Sequence, residues 1–168
     1  MDTSIILDTN IIIYASDEPT KRQFLNNITT LQEKDFDLGI SQFTRFEILK
    51  KASPPQKQKE MIELLDKFKS FTVTDEVLII SGILNTFYKS ENIQREIDDG
   101  DLIIATTAIL NQSLILTTNR IDFPTVFFEE VTVNPILYQK IPGLTRALAV
   151  YLLKPKSDLV EKLQKSFQ

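Results

Sequence analysis

Ser4-Ile5-Ile6-Leu7-Asp8-Thr9-Asn10 is the stretch from which the fold can be read. It is a short aliphatic run that ends abruptly in an acid. A run without polar alternation suits a strand buried on both faces of a parallel sheet. In open α/β sheets, ligands bind beyond the carboxyl ends of the strands, so an aspartate at that end is a candidate functional group. Asn10 to Ala15 continues as a short apolar turn of ambiguous type. Pro19-Thr20 then opens a helix carrying Phe24, Leu25, Ile28 and Leu31, and residues 36–41 form a second strand. Helices are expected over residues 42–52 and again after Pro54-Pro55, where proline stops one helix and starts the next. A third strand follows at 70–74, helices at 76–91 and 98–112, a fourth strand at 113–117 and one or two extended pieces within 126–133. Strands alternating with helices point to an α/β domain with a mostly parallel central sheet flanked by helices.

The composition limits the chemistry. The 168 residues include no histidine and no cysteine, which removes imidazole general bases, thiol nucleophiles and Cys/His zinc sites. Four glycines cannot supply the dinucleotide or P-loop fingerprints. Carboxylates remain, and in a chain without histidine they suit hard, oxygen-bound divalent cations. No stretch approaches the ~20 apolar residues of a membrane span, and no basic-then-apolar leader precedes Asp8. A cytoplasmic protein without a membrane partner is therefore expected.

Four acidic loci follow strands or open helices: Asp8, Glu47, the Asp98-Asp99-Gly100-Asp101 cluster, and Asp122 within Thr117-Thr118-Asn119-Arg120-Ile121-Asp122-Phe123. Each has a bland reading alone. A strand-ending aspartate is often a cap or turn former. Glu47 could simply pair with Lys50 or Lys51 on a helix surface. Acids favour helix starts whatever else they do, and Asp98 reads as an N-cap. Their order along the chain carries more weight than any one of them.

Taken together, Leu7-Asp8-Thr9-Asn10, a helix-borne Glu47, Asp101-Leu102-Ile103-Ile104-Ala105-Thr106-Thr107-Ala108, and the Thr117 to Phe123 segment resemble the PIN-domain nucleases, and among them the VapC-type toxins. The resemblance runs from about Ile5 to Val133. It implies a three-layer α/β fold and Mg²⁺- or Mn²⁺-dependent endonucleolytic hydrolysis of RNA. Asp8, Asp101, Glu47 and Asp122 would be the catalytic and metal-binding residues. Glu47 is the weakest anchor, with Glu60 or Glu63 as fallbacks. Thr9, Asn10, Asp98, Thr117 and Asn119 would support them, and Arg45, Lys51 and Arg120 would contact phosphate. A cognate antitoxin and a homodimer are the implied partners besides RNA.

Other readings compete. An aspartate-nucleophile phosphatase would have a second aspartate two residues after Asp8, where this chain has Asn10. A catalytically weak or inactive module that binds RNA or protein is the alternative within the same fold. The net charge of −4 does not favour nucleic acid. Its distribution favours it more: five basic against two acidic residues place 142–168 at +3, and the rest of the chain at −7. Pro142-Gly143 reads as the boundary between a domain of residues 1–141 and an extension of residues 142–168. The extension is expected to form two short amphipathic helices, Leu144/Ala147/Leu148/Tyr151/Leu152 and Leu159/Val160/Leu163/Phe167, interrupted at Pro155. Helices this short need a surface to pack on, either the same domain or a dimer partner.

Overall fold

A computed structural model describes residues 3–93 and 95–167. The chain runs β1 (Ser4–Leu7), α1 (Thr9–Ser16), α2 (Lys21–Glu33), β2 (Asp37–Ser41), α3 (Gln42–Lys51), α4 (Pro55–Leu65), β3 (Lys69–Phe71), α5 (Asp75–Ser90), α6 (Asp99–Leu110) and β4 (Leu114–Thr117). A 3-10 turn (Arg120–Asp122) leads to β5 (Phe128–Ile141), β6 (Leu144–Pro155) and α7 (Ser157–Phe167). The strands form one sheet in the order β3-β2-β1-β4-β6-β5. The first four are parallel, and β6 runs antiparallel to both β4 and β5.

The opening run behaves as its composition requires. Ile5, Ile6 and Leu7 are all fully buried at the middle of the sheet. Successive side chains of a strand point to opposite faces. Ile5 and Leu7 accordingly join a core with α1, α2, α3 and α4, while Ile6 joins a second core with α5, α6 and α7. The result is three layers, helices on both faces of one mixed sheet. Close packing is tightest at Gly39 of β2, where an added Cβ would stand 2.3 Å from the Phe71 ring of β3. The apolar residues after Thr9 form helix α1 rather than a turn, because Ile11, Ile12 and Ala15 share one buried face.

The C-terminal third departs from expectation. Residues 144–155 are a strand, not a helix. The spacing of Leu144, Ala147, Leu148, Tyr151 and Leu152 fits a helix, but residues 147–153 are an unbroken apolar run. Alternation splits that run between the two cores: Val150 and Leu152 pack with Ile5 and Leu116, and Tyr151 and Leu153 with Ile115. A run buried on both faces belongs inside a sheet. Pro142-Gly143 is accordingly the two-residue turn of a hairpin, with Gly143 at φ +80° and Ile141 paired to Leu144. The boundary expected after Ile141 falls at that turn, and β6 crosses back into the sheet between β4 and β5. Only the second expected helix forms, as α7, with Leu159 and Leu163 buried against α5; the Phe167 side chain lies outside the described residues. β5 is longer than expected and forms the sheet edge, a position that tolerates Pro135. Among the described residues no helix is long and apolar enough to cross a membrane.

Candidate active site

The parallel order of β2, β1 and β4 brings three chain reversals side by side at their carboxyl ends. Asp8 leaves β1 at the N-cap position of α1 without a side-chain capping bond, and its own N–H donates to Leu116 O of β4 (3.0 Å). It is 2% exposed. Thr117, the last residue of β4, donates its hydroxyl to Asp8 Oδ2 (2.6 Å). The Asn10 amide donates to the same oxygen, and its Oδ1 accepts the Thr118 N–H (3.1 Å). Burial nevertheless pushes the Asp8 carboxyl up to about 6, and these hydrogen bonds offset only part of the effect.

Asp122 ends the 3-10 turn after β4 and is 4% exposed. The Asn119 amide donates to its Oδ2. Asn119 is itself positioned by its N–H donating to the Thr117 hydroxyl (2.8 Å). One threonine at the end of β4 thus orders both carboxylates. Asp101 enters from the first turn of α6, whose N-cap Asp98 accepts the Gly100 N–H (2.9 Å). Burial holds the Asp101 carboxyl far above the usual range, and the charge of Asp8, a hydrogen bond to Asp122, and the charges of Asp122 and Asp98 add to the effect. Asp8, Asp101 and Asp122 are therefore electrostatic neighbours.

Glu47 comes from the middle of α3. Its Oε2 accepts the Thr9 hydroxyl (2.7 Å) and would lie 3.2 Å from a Cβ added at Gly100. Gly100 is what lets α6 approach this close, since the same Cβ would also stand 3.0 Å from the Phe43 ring. Glu47 is thus tied to the residue after Asp8 and packed on the turn that carries Asp101. The fallback positions, Glu60 and Glu63, are exposed on α4.

The basic residues divide differently. Arg45 pairs with Asp66 (2.9 Å), beyond the end of α4. Arg120 spends its guanidinium on the carbonyls of Phe123 and Phe128, fixing the link from β4 to β5. Lys51 is exposed one turn beyond Glu47. Arg45 thus uses one guanidinium nitrogen on an exposed carboxylate, whereas Arg120 uses two on backbone carbonyls. Two groups near the acids escaped the sequence reading. Arg95, in the link between α5 and α6, forms an ion pair with Asp122. The buried Tyr88 hydroxyl has no hydrogen-bond partner, and its ionisation is suppressed by burial and by the charges of Asp101 and Asp122. Tyr88 sits at core spacing after Ile80 and Leu84, and Arg95 stands in no motif, so neither carried a signal.

Among the described residues, no group of three or more acidic side chains is arranged to hold a metal ion as it stands. Asp8 is turned onto Thr117 and Asn10, Asp122 onto Asn119 and Arg95, and Glu47 onto Thr9. The donor chemistry still fits a hard dication. The donors are all oxygen, two of the acids are almost fully buried, and their mutual repulsion is what a bound cation relieves.

A family model described as PIN domain matches residues 5–128, from the second residue of β1 through β4 to the first residue of β5. Ribonuclease VapC19 of Mycobacterium tuberculosis is 31% identical over 121 residues, covering 71% of this chain and 91% of that protein. One chain of the ATP-dependent helicase/nuclease of Natranaerobius thermophilus is 30% identical over 109 residues, 65% of this chain. The match spans only 7% of that much longer protein. Among solved structures, VapBC2 from Rickettsia felis bound to a DNA fragment from its promoter superposes with a TM-score of 0.61 at 22% identity, covering 72% of this chain and 91% of that one.

Proposed function

This chain belongs to the PIN domain family, and from that premise we propose that it is a metal-dependent endoribonuclease, the toxin of a toxin–antitoxin pair. The observation that carries the reading is the convergence of Asp8, Asp101 and Asp122, where burial and the neighbouring acidic charges push the Asp101 carboxyl up. Such an arrangement is costly to fold, and a cation-dependent reaction gives it a use. The 31% identity to a ribonuclease supports RNA as substrate. The likeness to VapBC2 suggests an antitoxin as protein partner. A cytoplasmic homodimer completes the reading.

Asp8 and Asp101 would hold Mg²⁺ or Mn²⁺, with Glu47 and Asp122 as further ligands directly or through water. When bound, such a cation makes water acidic enough to attack near neutral pH and neutralises charge building on the phosphate. The chain's own groups do the positioning. Thr117 and Asn10 fix which Asp8 oxygen stays free, Thr9 aims Glu47, and Asn119 aims Asp122.

The test is cleavage of single-stranded RNA by purified protein with Mn²⁺ or with chelator. Cleavage should require the cation and fall about 100-fold or more in Asp8→Asn, a loss of the size seen when a group stabilising the reacting charge is removed. Folded Asp8→Asn protein that cleaves normally would reject the assignment. Metal-dependent RNA binding without cleavage by the wild type would favour the non-catalytic module instead.

A further inference from the structure

We infer that Arg95 is the resident counter-ion of the acidic site: a divalent cation must displace it from Asp122, and once displaced it takes a phosphate of the RNA. This rests on the nuclease reading above and names a residue that neither the family pattern nor the sequence motifs single out.

Among the described residues, Arg95 is the one basic side chain ion-paired to any of the four site acids. Its environment is lopsided. Asp122 is almost fully buried, whereas the Arg95 side chain is 43% exposed. The guanidinium therefore reaches into the site from the solvent side and is not built into the core. Arg120 shows the contrast, with both ends of its guanidinium satisfied by backbone carbonyls.

The described residues flanking the link between α5 and α6 are anchored at Ile93 and at Ile97. On one side α5 ends in a turn with Asn92 at φ 59°, where the Ile93 N–H donates back to Tyr88 O (3.1 Å). On the other, Ile97 is buried and Asp98 caps α6. Arg95 also lines an open cavity of about 400 Å³ together with Asn85, Lys89, Asn92, Glu96 and Asp99. That cavity gives the guanidinium room to leave Asp122.

The chemistry sets the order of events. A guanidinium keeps its charge at every working pH, so it competes with an incoming cation throughout. It cannot ligate a metal, and beside a dication it is repelled. Its planar fork matches phosphate oxygens as well as it matches a carboxylate. The same residue therefore balances Asp122 before a cation binds and moves onto substrate afterwards.

Mn²⁺ titration of the full chain at low salt, with and without Arg95→Gln, tests this. The variant should bind Mn²⁺ about 2–5-fold more tightly, the scale of a partly exposed ion pair removed from the competition. Its KM for single-stranded RNA should rise by a similar factor with kcat nearly unchanged, and the salt dependence of RNA binding should lose about one phosphate contact. Arg95→Lys should keep Mn²⁺ affinity near wild type while still raising KM, because it retains charge but not the fork. Equal or weaker Mn²⁺ binding by folded Arg95→Gln, with wild type binding normally, overturns this inference alone. No Mn²⁺ binding by either protein overturns the nuclease reading and this inference with it.

Discussion

The corner where β1 and β4 end and the hairpin of β5 and β6 belong to one sheet but are specified in opposite ways. At the corner, nearly every position carries a polar job that one side chain can do. Thr117 donates to Asp8 and accepts from the Asn119 N–H, and Asn119 donates to Asp122. In the hairpin, position matters more than identity: Leu153 is fully buried beside β4, while Leu137, nearer the turn, is 58% exposed. A polar network fixes geometry through partners, so its residue types show in the sequence. An apolar run fixes only burial, and the same run can be buried as helix or strand.

The hairpin can be used to break this contrast. Leu153→Ala should cost about 2–5 kcal/mol in urea unfolding, as for other fully buried leucines. A loss below about 1 kcal/mol would mean that β6 does not sit inside the sheet. The corner gives the next largest effect. Folding raises the Asp8 carboxyl from 3.8 to about 6, so the native state binds the extra proton. The stability that this proton contributes is present below pH 4 and is lost as pH rises toward 6 and above. In chelator, wild type should lose about 1–3 kcal/mol more than Asp8→Asn between pH 4.5 and 7.5. Parallel pH profiles would show that Asp8 carries no burial penalty. Leu137→Ala, near the hairpin turn, should change stability by less than about 0.5 kcal/mol. A large loss there would mark the exposed part of the ribbon as a packed surface.

The sequence exposed the corner well for physical reasons. The aliphatic run of Ile5 to Leu7 is too short for a helix and ends at an acid, so a central strand places that acid at the sheet's carboxyl edge. Asp8 and Asp122 follow β1 and β4, Glu47 lies on the helix after β2, and Asp101 opens α6, so they share one end of the sheet because β2, β1 and β4 are neighbours. What stayed hidden depended on pairing over distance. Residues 147–153 form a strand by pairing with β5 along their length and with β4 at Tyr151 to Leu153, partners outside their own spacing. Gly143 after Pro142 was a hairpin signal that a composition shift at the same point obscured. Arg95 finds Asp122 across 27 positions through a bend of the chain after α5, and no local pattern encodes that meeting.

The most direct test of the account is the melting temperature of Asp101→Asn against wild type, in chelator and in Mn²⁺. Removing one of three mutually repelling acids should raise the melting temperature in chelator, because the asparagine has no charge to bury. Mn²⁺ should then raise the melting temperature of wild type and leave that of the variant unchanged, since a ligand stabilises only the state that binds it. An Asp101→Asn protein that melts lower than wild type in chelator, or that gains as much as wild type from Mn²⁺, would contradict the claim that these acids form one cation site.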